Sequence, residues 1–281
     1  MTTKYVLITG ASSGLGKETA IKLANDGYIV FAGIRKENDA NTLNKIHTNI
    51  RALILDVTSE ESVNKAFEVI KETTNNLFAL VNNAGIATGG PVEFIPIETL
   101  QNQFNVNVFG AIRVAQKFLR IADKNEARII NISSMSSYGI FPFVSPYCAS
   151  KRALDMFFNS LILENKHKNL KIVSIKPGVV ATPIWNKSID ACEKCFENAT
   201  QECYETYEKE MRFLADNARK NTNKGLKSTA IANLVSKVLK IKNPKLSYNI
   251  GKDSKFARLM SFLPLKLSNS LVKFGLKKRL S

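Results

Sequence analysis

The sequence predicts an α/β protein: a doubly wound parallel sheet of seven strands with helices on both faces. Three observations carry that expectation. Short apolar runs alternate with stretches of helical periodicity almost from the first residue. The runs are continuously apolar rather than alternating, as in strands covered on both faces. A glycine-rich turn, Gly10-Ala11-Ser12-Ser13-Gly14-Leu15-Gly16, separates the first strand from the first helix.

In order, the strands are expected at Tyr5–Ile8, Ile29–Ala32, Ala52–Leu55, Phe78–Val81, Arg128–Ile132, Ile172–Ile175 and Leu246–Ile250. Helices are expected over 14–26, 59–74, 97–121, 147–166, 187–220 and 227–240. Ser59, with Glu61 and Ser62 behind it, reads as a helix start, and Gly27 as the stop of the first helix. No repeat or Gly/Ser linker interrupts this order, so residues 1–281 are expected to form one domain. Residues 186–225 would add a helical lid and residues 252–281 a basic extension.

Composition excludes several classes. The chain of 281 residues is 44% apolar and 23% charged, with 14 Gly and 8 Pro, which is unlike collagenous or disordered sequences. No apolar run approaches the roughly 18 residues of a spanning helix. Met1-Thr2-Thr3-Lys4 leads straight into a strand, leaving no room for a signal peptide, and four cysteines are too few for a disulfide framework. A cytoplasmic location is therefore expected. The net charge of +16 is unevenly placed. Residues 211–281 carry 17 Lys and Arg against only Asp216 and Asp253, whereas the preceding body is nearly neutral.

The glycine turn occupies the place where a doubly wound sheet receives a dinucleotide pyrophosphate, close to backbone N–H groups at a helix start. Its spacing is Gly-x-x-x-Gly-x-Gly rather than Gly-x-Gly-x-x-Gly. Further landmarks follow: Asn82-Asn83-Ala84-Gly85 after the fourth strand, Asn107 within the next helical stretch, and Ser134 at the end of the fifth strand. Tyr147-x-x-x-Lys151 and Pro177-Gly178 ahead of Thr182 complete the series. Together these resemble the short-chain dehydrogenase/reductase family over residues 4 to about 185. The pattern is nearest to members acting on steroids, retinol and lipid alcohols.

The resemblance implies a Rossmann-type fold and a nicotinamide cofactor. Gly10, Ser12, Ser13, Gly14, Leu15 and Gly16 would take the pyrophosphate. Asp56 and Val57 would contact adenine, and Asn83, Ala84 and Gly85 would lie along the adenosine ribose. Pro177, Gly178, Val180 and Thr182 would border the carboxamide, with Tyr147 and Lys151 at the nicotinamide ribose. The end of the second strand reads Arg35-Lys36, with no acid before Glu37. A guanidinium there suits a 2′-phosphate, so NADP(H) is expected over NAD(H).

The same resemblance assigns catalysis to Asn107, Ser134, Tyr147 and Lys151. A free phenol titrates near ~10, too high for a base at neutral pH. Lys151, one helical turn beyond Tyr147, is expected to lower that value together with the positive nicotinamide of the oxidised cofactor. Ser134 would hydrogen-bond the substrate oxygen, and Asn107 would hold a water linking Lys151 to solvent. Ser133 is the rival serine; the family's usual spacing of 13 residues before the Tyr selects Ser134. Phe141, Phe143 and Trp185, with Ser134 and Tyr147, are expected to line an apolar substrate pocket. No metal site is expected: Cys192, Cys195 and Cys203 read as helical thiols, far in sequence from His47 and His167.

The expected function is NADP(H)-dependent interconversion of an alcohol and its ketone or aldehyde on a steroid-, retinoid- or lipid-like substrate, by a homo-oligomer (dimer or tetramer). A 3-oxoacyl-thioester reductase and a non-catalytic NADPH-binding sensor are the alternatives. For the basic extension three readings stay open: peripheral contact with an anionic membrane surface, attraction of an anionic substrate, or a solvated contact surface. No nucleic-acid motif accompanies the charge, so no nucleic-acid partner is expected.

Overall fold

The computed structural model describes residues 3–166, 169–182 and 200–280. Seven strands form one sheet: β1 (Tyr5–Ile8), β2 (Ile29–Ile34), β3 (Ile50–Ile54), β4 (Leu77–Asn82), β5 (Ala127–Ile132), β6 (Leu170–Pro177) and β7 (Ser247–Ile250). Their spatial order is β3-β2-β1-β4-β5-β6-β7, and every pairing is parallel. The order reverses between β1 and β4, which opens a crevice at their carboxyl ends. β4 and β5 are buried at every position, including the polar Asn82, Arg128 and Asn131.

The intervening helices are α1 (Gly14–Asn25), α2 (Glu37–Asn44), α3 (Glu60–Thr73), α4 (Ile97–Phe104), α5 (Ala111–Arg120) and α6 (Ser145–Glu164). Beyond β6 follow α7 (Gln201–Lys224), α8 (Ser228–Lys240), α9 (Lys252–Met260) and α10 (Leu265–Leu280). Two apolar layers result. Leu23 of α1, Leu43 of α2 and Ile231 and Val235 of α8 pack on one face of the sheet. Phe67 of α3, Phe118 of α5 and Phe158 of α6 pack on the other.

Local chemistry sets the boundaries. The Ser59 hydroxyl accepts from the Ser62 amide and caps α3. Gly27, at φ +88°, turns the chain after α1.

The stretch 97–121 is not one helix. A π-turn over Asn105–Gly110 divides α4 from α5. Such one-residue irregularities occur mostly where a side chain must be re-aimed. Here the re-aimed residue is Asn107. The tail also divides, with α9 and α10 meeting at Pro264, which cannot continue a helix. Among the described residues no helix is long and apolar enough to cross a membrane.

Candidate active site

The glycine turn runs from the end of β1 into α1. Gly10 and Gly14 adopt positive φ, +67° and +54°. A Cβ on Gly16 would lie 2.3 Å from the Gly10 carbonyl, so the helix start can close on the turn only with glycine there. Ser13 precedes α1 in extended conformation without capping it, and the first turn holds no acid. The helix therefore presents backbone N–H groups and positive potential, an arrangement that fits a diphosphate. Ser12 is half-buried and Ser13 exposed, so hydroxyls flank those amides.

Two residues hold this turn against β4. The Thr9 hydroxyl accepts from the Asn83 and Ala84 amides at 3.0 Å, and Asn83 Nδ2 donates to the Thr9 and Gly10 carbonyls at 2.9 Å. The Asn83 side chain is thus committed to the turn itself rather than turned to a ribose. Ala84 packs directly on Gly10, where a Cβ would approach its Cα to 2.9 Å.

Arg35 and Lys36 stand exposed just past β2, and the Ala11 amide donates to the Gly33 carbonyl, which ties that strand end to the turn. No carboxylate among the described residues pairs with either side chain. Asp56 accepts at Oδ1 from the Thr58 amide and hydroxyl. The Val57 side chain is buried against Gly110 and so faces the core, leaving its backbone as the part that could border adenine.

The four residues of the expected catalytic set converge at the carboxyl end of β5. Ser134 leaves that strand in extended conformation, and its hydroxyl accepts from the Ser136 amide and shares a hydrogen bond with the Tyr147 phenol. The rival Ser133 buries its hydroxyl without a hydrogen-bond partner. Asn107 accepts at Oδ1 from the Ile86 amide (2.8 Å) and donates to the Ile86 carbonyl and the Ser150 hydroxyl. Lys151 is buried and donates to the Ile132 carbonyl at 2.8 Å. Gly85 lies between them: a Cβ there would come within 3.3 Å of Asn107 Oδ1 and 3.5 Å of Lys151 Nζ.

Burial dominates the electrostatics of Tyr147 and Lys151 in the chain alone. Burial pushes the Tyr147 phenol up to about 12, with only the Ser134 hydrogen bond pulling it back. Burial likewise pushes the Lys151 ammonium down to about 8, against the opposing charge of Asp155. The ammonium lies 5.8 Å from the Tyr147 ring centroid and donates to the Ile132 carbonyl rather than to the phenol. Asp155 itself is held by Lys176 at 2.8 Å and by the Ser174 hydroxyl at 3.0 Å.

Two further positioning residues carry no motif in the sequence. Gln103, fully buried on α4, accepts from the Thr88 amide and hydroxyl and donates to the Ile86 carbonyl, holding the loop beyond Gly85. Asp253, at the start of α9, accepts from the Val179 amide at 2.6 Å. A Cβ on Gly178 would fall 1.9 Å from its Oδ1, so glycine is needed there for the carboxylate to sit against the loop. Pro177, Gly178, Val180 and Thr182 are therefore braced from outside by the tail. The Val180 segment is braced too by pairing with Leu226.

At the start of α6 opens a cleft of about 560 Å³ bordered by Phe141, Phe143, Ile140, Cys148 and Tyr207. Phe143 is held at φ +66°, unusual for a bulky residue, with its carbonyl accepting from the Gly90 amide. Tyr207 of α7 packs edge-on against Phe94 and Phe143 and donates to Glu93. From residues 186–225, Tyr207 borders the cleft. Trp185, Cys192 and Cys195 lie outside the described residues, as does the start of the lid. Cys203 is buried as a free thiol, and no cluster of potential metal ligands occurs among the described residues.

Residues 4–193 match the family described as short chain dehydrogenase. The chain is 31% identical to the NADPH-dependent 3-dehydrocapnine reductase of Ornithobacterium rhinotracheale, over 98% of both chains. It is 33% identical to retinol dehydrogenase 7 of Rattus norvegicus, over 97% of this chain and 88% of that one. Among solved structures, a short-chain dehydrogenase from Streptomyces avermitilis superposes with a TM-score of 0.78 at 21% identity, covering 99% of this chain and 98% of that one.

Proposed function

The chain belongs to the short-chain dehydrogenase family, and from that premise we propose that it is an NADP(H)-dependent oxidoreductase interconverting an alcohol and its ketone or aldehyde. Its substrate is hydrophobic, of steroid, retinoid or lipid type. The carrying observation is the convergence of Asn107, Ser134, Tyr147 and Lys151 at the end of β5, with an apolar cleft of Phe141, Phe143 and Tyr207 opening at the start of α6, the helix that carries Tyr147. The relatives that share nearly the whole length include one named for NADPH and one named for retinol, which supports both halves of the reading.

When bound, the cofactor supplies or takes a hydride at its nicotinamide ring, and the oxidised ring adds positive charge near the phenol. The chain's own residues do the rest. The glycine turn and the bare start of α1 hold the pyrophosphate, while Arg35 and Lys36 take the 2′-phosphate. Lys151 holds the nicotinamide ribose. In reduction, Tyr147 keeps its proton throughout the neutral range and delivers it to the carbonyl oxygen; Ser134 donates to the same oxygen and stabilises its developing charge. In oxidation the phenol must be brought down by positive charge, which Lys151 contributes once drawn from the Ile132 carbonyl. Asn107, fixed to Ile86 and Ser150, holds the water that reconnects Lys151 to solvent.

Exposed Phe109, Met156 and Phe157, on the π-turn and α6, support a homo-oligomer. A cytoplasmic setting fits the reading.

The test is NADPH oxidation with a panel of apolar ketones and aldehydes, with a 3-oxoacyl thioester as comparison. Preference for the thioester would overturn the substrate class, and binding of NADPH without turnover of any substrate would favour the sensor. One variant probes the brace on the nicotinamide side. Asp253→Ala removes a hydrogen bond to a charged acceptor, of the kind worth about 1.5–3 kcal/mol, and is expected to weaken NADPH binding roughly tenfold. Fluorescence titration checks this, with an unchanged unfolding midpoint separating loop position from global stability.

A further inference from the structure

The tail beyond β7 uses one side inward and leaves the other unpartnered. On α9, Ser254 and Ala257 are buried, with the Ser254 hydroxyl donating to the Lys176 carbonyl. The opposite side of the helix carries Phe256 and Leu259 between Lys252 and Lys255, all exposed. The connection to α10 exposes Phe262 and Leu265. On α10, Leu267, Leu271 and Phe274 recur at positions i, i+4 and i+7, and Lys266, Lys273 and Lys277 form a parallel row beside them. Phe262 and Phe274 are 75% and 71% exposed. A continuous apolar strip edged by cations therefore covers the outer side of both helices.

We infer that this strip is a docking surface for an anionic lipid bilayer, with the aromatic and leucine side chains entering the headgroup boundary. Charge decides the occupant. Residues 252–281 hold eight Lys and Arg against Asp253 alone. That carboxylate is turned inward to Val179, so the outward side is cationic throughout. A second copy of the chain would bring the same cations face to face across a two-fold axis, which is repulsive. An anionic membrane answers both features at once: apolar burial for the Phe and Leu row, and surface charge for the Lys row. Two helices angled at Pro264 suit an interface-lying rather than a spanning arrangement.

The test uses the full chain and sedimentation with phosphatidylcholine vesicles, with and without phosphatidylserine. Binding is expected only with phosphatidylserine, weakened by salt. Each cation at such a surface is worth roughly fivefold in partitioning, so the triple variant Lys266→Glu, Lys273→Glu, Lys277→Glu should bind about a hundredfold more weakly. Phe262→Ser with Phe274→Ser should also weaken binding severalfold, while the unfolding midpoint stays that of the parent. Absence of binding at low salt, or retention by both variants, overturns the inference. So does equal binding to duplex DNA, which would mark a general polyanion surface. A parent dimer that becomes monomeric in the Phe variant would instead assign the strip to a second copy. The assay needs no substrate, so its outcome is independent of the activity proposed above.

Discussion

Tyr147→Phe is expected to reduce carbonyl reduction by roughly 10³–10⁴-fold while leaving NADPH binding measurable. The Tyr147 proton is firmly held, at about 12, because burial disfavours the phenolate. Removing one oxygen leaves Ser134 in place with its Ser136 contact, so the residual rate measures what positioning and the serine supply alone. A loss below about tenfold would assign the acid to another group. The pH dependence separates Tyr147 from Lys151. The phenol does not change state between neutral pH and about 12, whereas the ammonium, depressed to about 8, does. The charged form of Lys151 is complete below that value and lost above it. NADPH affinity measured on the free enzyme should therefore fall as pH rises through about 8, and Lys151→Met should abolish the break.

Arg35→Asp is expected to raise the KM for NADPH by roughly a hundredfold while the KM for NADH stays unchanged or falls. The guanidinium stands free at the end of β2, next to a strand carbonyl that ties into the glycine turn. No described carboxylate competes for it, so its five donors remain available to a phosphate. Substituting a carboxylate both removes that fork and repels a 2′-phosphate, while offering an acceptor to a 2′-hydroxyl. Added salt should weaken the parent's NADPH preference, as an exposed ion pair requires. Equal losses with both cofactors would show that Arg35 supports the fold of the turn rather than reading the nucleotide.

The strands and the motif residues were legible because their causes are local. Runs such as Arg128-Ile129-Ile130-Asn131-Ile132 need burial on both sides, and the motif residues follow directly at the strand ends. Other features depend on partners distant in sequence or on poor local signals. α2 is polar, with Leu43 as its only buried residue, so no apolar period marked it. The π-turn kept the apolar spacing of a continuous helix and so left no trace. Asp253 reads as a lone acid in a basic tail; its partner is an amide 74 residues earlier. Gln103 likewise serves backbone groups 15 and 17 residues back. The spacing of Tyr147 and Lys151 placed them one turn apart but could not show that the ammonium turns to the Ile132 carbonyl instead.

The π-turn at Asn105–Gly110 has the geometry of a single surplus residue accommodated within an otherwise regular rod. Excising one amino acid there would restore the ordinary winding and strengthen the hydrogen-bond ladder between α4 and α5. The same deletion would swing Asn107 away from Ile86 and Ser150, so the shortened helix would be more regular and its amide would no longer reach the Gly85 loop. In this helix, irregular winding is what keeps that amide in place.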